Sequence, residues 1–158
     1  MAHAPEKLIR TSDRLATEIE RLVATGARPA DDRAATEAFT LHARVLLDFL
    51  TGKPKGREVG ARSYVPGWKG ELPESAGAAR IPKGKQLVRL TTKRVDTEPV
   101  DRGALLDGLR AELLRFTEAA PDALVAEDFK ARAHAALDVA PAPEPVAPAD
   151  PTAPVEAA

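Results

Sequence analysis

Residues 36–50 read Thr-Glu-Ala-Phe-Thr-Leu-His-Ala-Arg-Val-Leu-Leu-Asp-Phe-Leu. At helical spacing Phe39, His42, Leu46, Phe49 and Leu50 fall on one face, and Glu37, Leu41, Arg44 and Asp48 fall on another. A helix this apolar belongs at the centre of a bundle. Charged groups on a central helix need partners, because an unpaired buried charge is costly. The stretch therefore predicts a core helix that also carries an internal polar network drawn from Glu37, His42, Arg44 and Asp48. Arg44 and Asp48 are four residues apart and read as a structural ion pair. Glu37 and Asp48 are three helical turns apart, about 16 Å, too far for paired-carboxylate chemistry within one helix.

Working outward, Asp31 or Asp32 supplies an N-cap, and Gly52 and Pro54 stop the helix. Ahead of it, Leu8, Leu15, Ile19, Leu22 and Val23 predict an amphipathic helix over 5–25, ended by Gly26 and Pro29, with Glu18 and Leu22 also read as a four-apart pair on its outer face. Leu105, Leu106, Leu109, Leu113 and Phe116 predict another over 101–119. Leu124, Val125, Phe129 and Leu137 predict a weaker one over 121–139. Residues 81–95 fit a helical face through Leu87, Leu90, Thr91 and Arg94, while Val88, Thr91, Thr92 and Val95 also suit a strand. No second strand is available to pair with it, so it is read as helix. The fold class is all-α, a bundle of four to five helices over residues 1–139.

Residues 51–80 hold Gly52, Gly56, Gly60, Gly67, Gly70 and Gly77 with Pro54, Pro66 and Pro73, which predicts a long loop between the second and third helices. It contains the only Tyr and the only Trp, Tyr64 and Trp68, placed either to anchor the loop by packing or to form a recognition surface. Beyond 139 the composition shifts to a tail with six prolines, no aromatic and net charge −3, expected to be disordered and solvated.

The formal net charge of −1 conceals an asymmetry. Residues 1–52 carry −1, residues 53–95 carry eleven Lys/Arg against three Glu, and residues 96–158 carry five Lys/Arg against thirteen acids. The basic segment is either a solvated surface or an anion-binding strip. The cations in question are Lys53, Lys55, Arg57, Arg62, Lys69, Arg80, Lys83, Lys85, Arg89, Lys93 and Arg94, with Trp68 available to stack on a base. No cysteine is present, which excludes disulfides, thiol chemistry and Cys-based metal sites. No run of apolar residues reaches membrane-spanning length, and the first residues lack the apolar core of a signal peptide, so a soluble cytoplasmic protein is expected.

Glu37, Phe39, His42, Arg44, Leu46 and Phe49, followed at a distance by Leu90, Thr91 and Arg94, resemble a group of uncharacterised bacterial all-helical proteins that are broadly HEPN-like. The resemblance covers the two motif-bearing pieces and implies a helical bundle acting in regulation or in defence against foreign nucleic acid. One departure is Arg89, where the pattern has His; a paired-His site would be incomplete. Active HEPN ribonucleases carry Arg followed four to six residues later by His, and no such spacing occurs here. Arg132 and His134 are two apart, on different faces of a helix.

His3, His42 and His134 lie in separate segments without metal-ligand spacing, and neither a phosphate-binding loop nor a nucleophile elbow is present. No catalytic residue, metal or cofactor is expected. Two function classes follow. The first is a non-enzymatic helical protein acting through a protein partner, and the second a nucleic-acid or anion binder using the basic segment. An enzyme built on Glu37, His42 and Arg44 ranks third.

Overall fold

Why the helices begin where they do is settled within a few residues of each start. A computed structural model describes residues 3–29, 31–56, 58–74 and 101–138. Among these residues it is all-α, with five helices and no strand. Helix α1 spans Pro5–Gly26 with Pro5 at its first position, where a missing N–H costs nothing. Helix α2 spans Arg33–Thr51; the Asp32 carboxylate accepts from Ala35 N at 3.0 Å. That bond is the first cause holding the Asp32 carboxyl below its usual range. Helix α3, Ala61–Tyr64, is a single turn inside the long loop. Helix α4 spans Arg102–Ala119 and repeats the capping device, with Asp101 accepting from Ala104 N at 3.0 Å. Helix α5 spans Phe129–Leu137. The helix expected over 81–95 and the tail over 140–158 lie outside the described residues, as do Arg57, Arg80, Lys83, Lys85, Arg89, Lys93 and Arg94.

Helix α1 packs chiefly on α2 and α5, and α4 packs on α2 and α5. One core runs through all of them. The α1 stripe Leu8, Leu15, Ile19, Leu22 and Val23 meets Phe39, Leu46, Phe49 and Leu50 of α2 and Leu105, Leu106, Leu109, Leu113 and Phe116 of α4. Tyr64, Trp68 and Phe129 close it. Phe116 sits at the centre of an aromatic cluster, edge-on to Phe49, Tyr64, Trp68 and Phe129.

Two expectations are corrected. The last helix begins at Phe129, not Pro121; before it come a 3-10 turn, Asp122–Leu124, and extended backbone at Val125. The break occurs because Val125 is buried in the core and Ala126 N donates to Ser12 Oγ of α1 at 2.8 Å instead of to a preceding carbonyl. The second correction concerns α2, which is not enclosed all round. Leu41 is 49% exposed and Val45 is 44% exposed, so one face of this apolar helix stays open.

Candidate functional site

The open side of α2 borders a cleft of about 680 Å³. Thr11, Arg14, Leu15 and Glu18 of α1 form one wall, Val45, Asp48 and Phe49 of α2 the other. Residues of the following loop, from Gly52 to Gly60, close its end. The floor is apolar: Leu15 and Phe49 are buried and Val59 is half-buried against the core. Val45 forms an exposed apolar lip.

The loop can serve as a wall because it is tied down from several directions. Tyr64 OH donates to Leu8 O of α1 at 2.8 Å, and burial pushes the phenol well above its usual pKa. His3 Nε2 donates to Glu58 O at 2.8 Å. The Glu58 carboxylate accepts from Lys55 N at 2.9 Å. Further along, Trp68 Nε1 donates to Leu50 O at 3.1 Å, and Gly67 supplies the positive φ of 82° that turns the chain into it. The Arg115 guanidinium lies 3.9 Å over the Trp68 ring and donates to Lys69 O at 2.6 Å. Glu112, buried beside Arg115, accepts from Glu71 N at 2.9 Å. Its hydrogen bond to Arg115 is the main reason that guanidinium is held above its ordinary pKa.

The four polar residues of α2 do not form one network. His42 is nearly buried, and its Nδ1–H donates to Glu18 of α1 at 2.7 Å. This corrects the placement of Glu18 and Leu22 on the outer face of α1: Glu18 turns toward α2 at the edge of the apolar stripe, and Leu22 is fully buried within it. Arg44, with its side chain 18% exposed, bonds Asp48 through both Nε, at 2.8 Å, and Nη2. Glu37 lies at the surface and pairs with Arg33 at 3.4 Å. A carboxylate on Nδ1 orients an imidazole as in acid–base catalysis. Among the described residues no hydroxyl is bonded to the other nitrogen of His42, and the pair links α1 to α2.

Of the basic candidates, Lys53 and Lys55 stand on the cleft rim, whereas Arg62 on α3 and Lys69 are exposed elsewhere. Trp68 is corrected as a stacking residue: it is 4% exposed, bonded to α2 and covered by Arg115, so its face is unavailable to a base. Sequence reasoning missed Arg14, Glu18 and Val59 as parts of one site, since only folding places them together. It also missed Arg132, which joins α5 to α1 by bonding Glu20 at 2.8 Å, Asp13 at 2.7 Å and Thr17 at 3.1 Å.

No group of His, Asp and Glu among the described residues is arranged to hold a metal ion. No helix among them is long and apolar enough to cross a membrane. The chain matches no protein-family model, and comparison with curated proteins and with solved structures returned no significant match.

Proposed function

We propose that this chain is a non-enzymatic, cytoplasmic helical module, broadly HEPN-like, that acts by binding a protein partner over the open face of α2. One observation carries the reading. Leu41 and Val45, one turn apart, are exposed beside a cleft whose floor is apolar. A single exposed leucine is ordinary; Leu41 one turn from Val45, which stands at the lip of an apolar cleft, extends that lip into a surface that association would desolvate.

The test is site-specific photo-crosslinking in the native host. A crosslinker at position 45 should give a discrete protein adduct, and adding Leu41→Glu should abolish it. A crosslinker at exposed Glu127, near the start of α5, serves as control. Adducts at 127 with none at 45 would overturn the proposal.

A further inference from the structure

The charges around the cleft are not balanced. Each acid in its lining is already engaged: Asp48 by Arg44, Glu18 by His42 and Arg21, and Glu58 by Lys55 N. Among the described residues, the side chains of Arg14, Lys53 and Lys55 have no carboxylate partner, and they stand around the same opening. Asp48 and Glu18 are matched by Arg44 and Arg21, whereas Glu58 meets only a neutral amide, so the rim sets three unpaired cations against one unpaired carboxylate above an apolar floor. The apolar surface also continues out of the cleft, from Val45 along α2 to Leu41. That continuation suits an elongated occupant with apolar anchors on successive turns, as in helix-in-groove recognition.

Resting on the partner reading above, we propose that the cleft docks an acidic amphipathic segment of the partner. Its apolar side chains seat on Leu15, Val45, Phe49 and Val59, and its carboxylates meet Arg14, Lys53 and Lys55. A nucleic-acid strand fits less well. A strand carries a phosphate at every nucleotide, more than three cations can match, and phosphates near Glu58 would meet a carboxylate that no cation pairs. An acidic peptide can place isolated carboxylates on the cations alone.

The experiment is an NMR titration of the isotope-labelled full chain with three probes. One is a synthetic peptide of about eighteen residues, five helical turns, with Leu at heptad-like spacing and Glu on its other face. The second has Lys in place of each Glu, and the third is an oligouridine of similar length. The acidic peptide should shift the amides of Leu15, Val45, Phe49 and Val59. The double variant Lys53→Glu/Lys55→Glu should weaken it by about tenfold, or roughly 1.4 kcal/mol, and improve binding of the basic peptide. Both lysines are exposed, so circular dichroism should show these variants folded. If both peptides bind equally and only Val45→Glu weakens them, the acidic assignment fails while the partner surface stands. If no peptide moves those amides at about 1 mM, a level weaker than useful recognition, both readings fall. If oligouridine moves them at lower concentration than the acidic peptide, the site is a nucleic-acid surface and the proposal is overturned.

Discussion

Replacing Phe116 with Ala removes the ring on which four segments converge. Phe116 is fully buried, and its ring centroid lies 5.0 Å from Phe49 of α2, 5.6 Å from Tyr64 of α3 and 5.5 Å from Trp68 of the loop. Phe129 of α5 is 6.4 Å away. Buried Phe→Ala changes cost about 3–5 kcal/mol, and more where the surroundings cannot collapse into the hole. Here the hole is lined by separately anchored pieces, including Trp68 held by Leu50 O and Tyr64 held by Leu8 O, so the cost belongs near the upper end. About 4–5 kcal/mol is a large share of the roughly 5–15 kcal/mol that stabilises a domain. Phe116→Leu keeps much of the volume but loses the three nearer edge-on contacts. At about 0.5–1 kcal/mol each, these amount to roughly 1.5–3 kcal/mol. The assay is equilibrium urea unfolding followed by circular dichroism and by fluorescence. Trp68 is the only tryptophan, so emission reports directly on this cluster. The Leu variant should unfold at lower urea with an unchanged slope. The reasoning fails if Phe116→Ala costs less than about 1 kcal/mol, well under the range for a buried ring, while folded-state Trp68 emission stays as in the parent.

Further outcomes follow from other contacts. A Cβ at Gly70 would fall 2.4 Å from Leu50 O and 2.8 Å from Leu50 C, both backbone atoms. Gly70→Ala should therefore cost about 1–3 kcal/mol by overpacking and speed proteolysis within the loop, measured by urea melts and limited digestion. Arg132→Ala should cost about 1–2 kcal/mol, since it breaks a network and not one exposed pair, read as a drop in Tm. The Arg132 hydrogen bond lowers the Glu20 pKa below the usual 4.5. A lowered folded-state pKa gives stability that is present above the unfolded value and lost as pH falls through the folded one. The gap between parent and Arg132→Ala should thus narrow as pH drops below about 4.5, as acid titration of Tm would show. Tyr64, the only tyrosine, has its pKa raised by burial. Its contribution is complete below the ordinary value of 10.0 and is lost as pH rises above it, so tyrosinate absorbance should appear together with alkaline unfolding. A separate titration near pH 10 in the folded protein, a value usual for free tyrosine, would contradict the burial of Tyr64.

The all-α class and the limits of α1, α2 and α4 were legible in the chain because they depend on neighbours. Asp32 and Asp101 each cap the amide three residues on, Pro5 opens α1, and the apolar stripes recur at helical spacing. Tertiary structure decided the rest. The sequence pattern carries Val125 smoothly into a helix, but Ser12, far away in α1, takes the Ala126 amide and breaks it. Polar residues spaced along α2 read as one network, yet His42 finds its partner in Glu18 across the helix pair. The loop aromatics could have packed or faced outward; Leu8 O, Leu50 O and Arg115 settle that they pack. The cleft belongs wholly to this second category. Its walls come from α1, α2 and the loop, and helical periodicity orders side chains about one axis without fixing which axes meet.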